Sequence, residues 1–426
     1  MIMREELLHF IWRFRYFNQH ELFTEAGEPL QIISPGELNV DQGPDFRNAC
    51  VRIGESLFQG PVELHVNASD WLRHGHDGDA HYRDVVLHVV WENDCPADTP
   101  PGAIPMLVLG HRISKLLLGK YDRMMNSRGF IPCERLLPQV TQPVWTEWQR
   151  ELSLDRLRQR ALFIRDCLAE NHQHWEETTW WLMARSLGQP VNTKAFEAIG
   201  RSLPLRLIVR HRSERVRLEA LLLGQAGLLE GEFEEEYPQI LQREYRFCRA
   251  KYGLTAAAVP VSFLRMRPGH FPGIRLAQLA DLLSGAPGWF ARIRDAHSPG
   301  QLETMLDSAA TGYWEDHYVL TRHSSARPKR LGAAMKKGLL INAFIPMLFA
   351  YGWLRDEPAF RDKALHWLEQ TGPETNTILT GWRRLGVTAP TAAASQALLE
   401  LKKNYCDPKR CLDCAVGRSL LGRTEP

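Results

Sequence analysis

Residues 42–91 read QGPDFRNACVRIGESLFQGPVELHVNASDWLRHGHDGDAHYRDVVLHVVW, and this stretch decides the fold. Acidic, amide and imidazole groups sit here on segments that otherwise read as buried strands. A polar group in such a place costs several kcal/mol, of order 2–7, unless it is paired or coordinating. His65, His74, His76, His81 and His88 all fall in it, out of 16 histidines in the chain. The stretch is therefore read as a site, and its chemistry as metal binding.

Working outward, Ala49–Ile53 and Leu57–Val66 are predicted as strands joined at Gly54-Glu55-Ser56, a hairpin-type connection. Period-two alternation along the second puts Val62, Leu64 and Val66 on one face and Glu63, His65 and Asn67 on the other. Asp84–Trp91 (DVVLHVVW) is a nearly continuous apolar run, as expected of a strand buried on both faces. Upstream, residues 5–17 carry apolar residues at helical spacing, and Leu30–Ser34 reads as a short strand before the turn Asp41-Gln42-Gly43-Pro44. The proline-rich segment Pro96–Pro105 is expected to be a loop, with Met106–Leu109 a further edge strand.

From Lys115 the character changes. Helical periodicity dominates from Trp148 to Lys403, with no fixed-period repeat. The expected class is α+β: a mixed-sheet domain over residues 1–110, a mainly helical domain over 111–405, and a cysteine-rich end, 406–426, packed back on the chain.

The order helix, strand, turn with Asp45, hairpin, strand with Glu63-Leu64-His65, helical turn, strand resembles the PD-(D/E)XK nuclease superfamily. The resemblance implies Asp45 and Glu63 as ligands of Mg²⁺ or Mn²⁺ and hydrolysis of phosphodiesters in nucleic acid. His65 stands where that family has lysine, and is read as a residue that orients or deprotonates water. A second reading centres a metallohydrolase on His74, His76 and His81, because imidazole suits Zn²⁺ and Mn²⁺. A third makes the chain a non-catalytic nucleic-acid-binding or scaffold protein.

Cys406-x₄-Cys411-x₂-Cys414 closes the chain, and Cys133 in the Pro132-Cys133-Glu134 turn is the best-placed fourth thiolate. Zinc and an iron-sulfur cluster both fit that donor set. Phosphate contacts are expected from two basic runs, Arg201–Arg217 and Arg322–Lys337, with Arg210, Arg212, Arg327, Lys329 and Arg330 as the candidate residues. The whole chain is also similar to a bacterial family known as an uncharacterised domain of unknown function, through GPDFRNA, GPVELHV, SDWLRHGHD, YRDVVLHVVWE, IPCE, RPGHFPGIRLAQLA and YCDPKRCLDCAVG.

With 52 basic and 50 acidic residues the net charge is +2, so no global field selects a polyanion, and only local patches can. The 8 cysteines are too sparse for a secreted disulfide framework. Glu5 and Glu6 precede the first apolar residues, unlike a secretory signal. The longest apolar run, Gly338–Leu354, is shorter than a membrane span and is read as a core helix, so the expected location is the cytoplasm without membrane attachment.

Overall fold

The computed structural model describes residues 3–95, 104–264, 266–285 and 288–422. The chain is an α+β protein, and it divides into two compact units: residues 1–148 with 402–426, and residues 149–401. Most of the expected loop Pro96–Pro105 lies outside the described residues.

The first unit is built on a mixed sheet. Its strands are β1 (Leu22–Phe23), β2 (Pro29–Ser34), β3 (Glu37–Leu38), β4 (Phe46–Ile53), β5 (Ser56–Asn67), β6 (Leu87–Glu92) and β7 (Met106–Val108). The order is β1-β2-β4-β5-β6-β7, with β3 pairing β4. The meander through β5 is antiparallel, whereas β5, β6 and β7 run parallel. The β4–β5 hairpin closes tightly, Ile53 facing Ser56 across Gly54-Glu55. Gly54 has φ +56°, the left-handed backbone that such two-residue loops require and glycine adopts without penalty.

The helix α1 (Glu5–Arg13) lays Leu7, Leu8, Phe10, Ile11 and Trp12 into the core and packs against β5. It stops earlier than the apolar spacing suggests, because Arg15 turns to φ +55°. The Trp12 indole N–H donates to Pro35 O at 2.9 Å and fixes the helix over the sheet. β6 has strands on both sides, and Leu87, Val89 and Val90 are fully buried, which explains its unbroken apolar run. Alternation fails on β5: Val62, Glu63, Leu64 and His65 are all buried, so its polar face meets protein rather than water.

Between β5 and β6 the chain makes α2 (Asp70–Arg73) and two 3₁₀ turns, His76–Gly78 and Ala80–Tyr82. After β7 come α3 (Lys115–Met125) and the start of α4 (Gln142–Glu170), which carries the chain into the second unit. The terminal helix Ala415–Leu421 returns to pack on α3.

The second unit is helical around one large apolar core. Helices form where periodicity places them, among them Trp175–Leu187, Thr193–Ser202, Glu236–Tyr252, Pro272–Gly285 and Pro358–Gln370. Two small antiparallel pairs, Ala309–Ala310 with Lys329–Arg330 and His317–Val319 with Arg322–His323, were not legible as strands because each is only two or three residues long. The apolar run first seen as Gly338–Leu354 belongs to one continuous helical stretch, Ala333–Leu354, of 22 residues, with a π-helical turn at Leu340–Phe344. That stretch is long and apolar enough to cross a membrane by length and composition, and 61% of its most apolar window is buried.

Candidate metal centre

The parallel step from β5 to β6 brings four imidazoles and a carboxylate together. Glu63 and His65 come from β5, and His88 stands opposite Glu63 on β6. His74 ends α2, and His76 opens the first 3₁₀ turn. Gly75 between them has φ +76°, a left-handed turn that lets residues two apart aim at one point.

The donor atoms converge. His65 Nε2 is 3.2 Å from His74 Nδ1 and 3.6 Å from Glu63 Oε1, and His76 Nε2 is 3.4 Å from the same oxygen. The ligand nitrogens of His65, His74 and His76 all lie within 4.8 Å of one another. Two donors each 2.0–2.2 Å from a zinc ion at a near-tetrahedral angle are about 3.3–3.6 Å apart. The spacing can accommodate an ion, and the 3.2 Å between His65 and His74 is also a hydrogen-bond distance between the two rings.

Neighbouring groups orient these donors. His65 Nδ1 lies 2.9 Å from His88 Nε2, so with the proton on Nδ1 the Nε2 lone pair faces the cluster. Tyr82 stacks on the His76 ring at 3.8 Å, and Trp71 packs edge-on against His65 and His76. Trp71 Nε1 donates to Asp77 Oδ1 at 2.7 Å, which holds the loop. The Glu63 Oε2 atom accepts the Asp45 N–H at 2.9 Å and leaves Oε1 for the histidines.

The electrostatics match a site that wants a cation. His65, 1% exposed, is pulled down to about 2 by burial and then by His88, His76 and His74, so the ring stays neutral. Burial pulls His88 down to about 4, with His76 adding to it. Burial and then the Asp45 carboxylate push Glu63 up to about 8, against the Asp45 N–H. His76 is 8% exposed, and its Nε2 has no hydrogen-bond partner. An orphaned, buried nitrogen aimed at a carboxylate and two imidazoles is what an ion would satisfy.

Asp45 is placed differently. Its Oδ2 accepts the Leu64 N–H at 3.0 Å and lies 3.1 Å from His9 Nε2. The cross-strand register of Phe46 with Val62 holds it beside Glu63. His9, on α1, is a site residue the sequence did not single out, because α1 reads as a plain amphipathic helix. His81 is outside the cluster: its Nδ1 is 2.7 Å from Asp79 Oδ1 on the exposed 3₁₀ turn. His65 occupies the place in the triad that spacing alone gave to His81.

The four cysteines singled out in sequence all belong to the first unit and are free thiols. Cys133, Cys411 and Cys414 are buried. Burial, and then Cys414, pushes Cys133 up to about 12, and burial, Cys133 and Cys414 push Cys411 to about 12. Cys406 is raised by burial and then by Cys414, Cys133 and Cys411. Among the described residues no three cysteine sulfurs approach as closely as the histidine triad does, so the four thiols expected to share one ion are not gathered as a ligand set.

The basic candidates lie in the second unit. Arg210, Arg212, Arg327 and Arg330 are exposed, with Arg330 3.5 Å from Asp307. Lys329 is 6% exposed, and its ammonium donates to the carbonyls of Trp314 and Glu315, so it is not a surface phosphate ligand. Sequence proximity to exposed arginines concealed that it lies on a strand with its side chain turned inward.

No curated protein and no solved structure matches this chain. Residues 5–377 match the family described as "Protein of unknown function (DUF2851)", and the chain belongs to that family.

Proposed function

We propose that the protein is a metal-dependent phosphodiesterase acting on nucleic acid, with Glu63, His65, His74 and His76 holding one transition-metal ion. The observation that carries this reading is the buried, unpartnered His76 Nε2 facing the Glu63 carboxylate and the His65–His74 pair. Three imidazoles favour zinc or manganese over magnesium. When bound, such an ion polarises the phosphoryl oxygen and acidifies a water.

The chain's own residues supply the rest. Asp45, held by the Leu64 N–H beside Glu63 and 3.1 Å from His9 Nε2, takes the proton from water as the water oxygen adds to phosphorus. The P–O bond to the leaving oxygen then breaks, and the proton passes to that oxygen. His65 acts as a ligand here rather than as the base read from its sequence position, since burial keeps its ring from taking a proton near neutral pH.

Two features support a nucleic-acid substrate. The run α1, β1, β2, β3, β4, β5, α2, β6, with Asp45 before β4 and Glu63 on β5, contains the order on which the PD-(D/E)XK resemblance rests, with the short strands β1 and β3 added to it. A cleft of about 710 Å³ in the same unit has His9 on its wall, with Arg4, Arg13, Lys409 and Arg410 around it. Glu6 and Asp413 also line it, with Arg410 paired to Asp413, so among the described residues the free cations of the wall are Arg4 and Arg13, which suit a phosphate contact.

We also propose that Cys133, Cys406, Cys411 and Cys414 ligate a metal centre that holds the Lys409–Arg410 wall of the cleft. The burial of Cys133, Cys411 and Cys414 in one unit with Cys406 supports it, and zinc and an iron-sulfur cluster both fit four thiolates. Anaerobic protein with zinc, or with iron, sulfide and a broad visible band, in either case lost in Cys133→Ser, is the expected result. Colourless protein free of iron and zinc would remove the centre from the proposal.

The function itself is tested on single- and double-stranded DNA and RNA with Mn²⁺ or Zn²⁺ after chelation. Cleavage that disappears in Glu63→Gln and His76→Ala, together with one metal equivalent, is expected. Metal bound at that stoichiometry without cleavage of any substrate would leave a non-catalytic binding or scaffold protein.

A further inference from the structure

The second unit holds a histidine–carboxylate cluster of its own. In the short hairpin, His317 on one strand faces His323 on the other across Leu320-Thr321. Glu235 stands at the N-cap position of the helix Glu236–Tyr252, and its side chain, which does not cap the helix, turns toward both rings. His317 Nε2 is 3.1 Å and His323 Nε2 3.7 Å from the same oxygen, Glu235 Oε1. These donor atoms lie within 4.8 Å of one another.

The opposite edges of the two rings are held by one carboxylate. His317 Nδ1 is 2.8 Å from Asp316 Oδ1, and His323 Nδ1 is 3.3 Å from Asp316 Oδ2. His317 Nδ1 also lies 3.0 Å from the Tyr313 carbonyl. A carbonyl only accepts, so Nδ1 carries the proton, and a neutral ring then turns an Nε2 lone pair toward Glu235. A carboxylate oxygen also only accepts. Two acceptors face each other, in a ring that is 1% exposed and stacked on Tyr313 at 3.8 Å, 9° from parallel.

Either a second proton or a cation must fill that gap. At His317 the 3.1 Å separation suits a proton as well as an ion, so the second ring decides between them. The 3.7 Å from His323 Nε2 to Glu235 is beyond a hydrogen bond. Together with the 3.1 Å from His317, it brackets the separation of about 3.3–3.6 Å expected of two donors on one zinc-like ion. A carboxylate behind each ligating imidazole is the usual device for fixing tautomer and ring orientation at such sites.

We propose that Glu235, His317 and His323 form a second metal site, of the kind that takes Zn²⁺ or a similar borderline divalent ion, with Asp316 positioning both imidazoles. Two nitrogens and one oxygen select against Mg²⁺ and Ca²⁺, which want oxygen donors. The exposed His323 places the fourth coordination position on the solvent side, open to water or an external ligand. The ion fastens the hairpin to the start of the helix.

The test is zinc and cobalt stoichiometry of the full chain after chelation, compared with His323→Ala and Glu235→Gln. Each variant is expected to bind one equivalent fewer. The Co²⁺ difference spectrum should show visible ligand-field bands without sulfur-to-metal charge transfer, which separates this site from the cysteines. Asp316→Asn should keep the stoichiometry and weaken affinity about 10–100-fold. His323 is on the surface, so its truncation leaves the fold intact, and circular dichroism confirms that. Unchanged stoichiometry and spectrum in both ligand variants would overturn the proposal and leave a plain ion-paired hairpin. Because Glu63→Gln affects only the first site, failure of this proposal is distinguishable from failure of the phosphodiesterase reading.

Discussion

The two histidine–carboxylate clusters use the same donor types, each with one exposed ring, and differ most in the carboxylate, which is buried in one and half-buried in the other. In the sheet unit, Glu63 and His65 are buried on the central strand β5, packing from Trp71, Tyr82 and His88 sets the His65 and His76 rings, and His74 is the exposed donor. In the helical unit His317 is as buried as His65, but Glu235 is half-buried and His323 exposed, so water reaches the carboxylate and one of the two rings. Burial is what turns a group of polar side chains into a demanding site, because inside the protein each unpaired lone pair is a cost that only a proton, a donor or an ion removes.

The sharpest way to break that comparison is to remove a donor from the buried cluster. His76→Ala should abolish metal binding there and bring nucleic-acid cleavage to background, read by oligonucleotide assay and metal analysis. His81→Ala, one turn away but paired only with Asp79, should leave both unchanged. Equal losses in the two variants would mean that the burial argument picks the wrong histidines.

The pH dependence of the metal-free protein should carry the signature of the buried cluster. Between pH 4.5 and about 8 the folded chain keeps a proton on Glu63 that the unfolded chain releases, so this residue makes stability fall as pH rises through that window. His65 and His88 act the other way. From 6.5 down toward about 4 the unfolded chain takes up protons that the folded rings refuse, so stability falls as pH drops. Urea midpoints in the presence of a chelator should therefore decline on both sides, and Glu63→Gln should flatten the alkaline limb alone. An alkaline limb that survives in that variant points to another group.

Packing in the helical unit offers a contrast without polar groups. A Cβ at Gly224 would come 2.2 Å from the Tyr245 ring, so the two helices touch there through glycine. Gly224→Ala should cost about 1–3 kcal/mol, measured by denaturant unfolding. A neutral result would show that the Tyr245 ring moves aside freely.

The smallest effect is expected in the second cluster, at the exposed His323. Without added metal, His323→Ala should change stability by no more than about 0.5 kcal/mol, as for surface residues generally. With zinc, the wild-type chain should gain stability that the variant does not, which thermal unfolding reads directly.

Much of the sheet unit was written in residue order. Alternation and β-branched runs place β5 and β6, Gly54-Glu55 sets the hairpin, and the density of polar residues between Gln42 and Trp91 marks the site. Helical periodicity likewise places the long helices of the second unit. These are local properties: backbone preference and the period of apolar residues act over a few neighbours.

Which histidines meet was not local. His65 and His74 are joined to His76 by the left-handed Gly75 and the return of the chain onto β6, while His81, closer to His76 in sequence than His65 is, turns outward. His9 reaches Asp45 only because α1 folds over β5, and His317, His323 and Glu235 gather from segments 82 residues apart. Lys329 looked like a phosphate ligand until its strand turned the ammonium onto buried carbonyls. Donor type is carried by the residue itself, but the angle at which two side chains approach depends on how distant segments pack, and that only the tertiary structure decides.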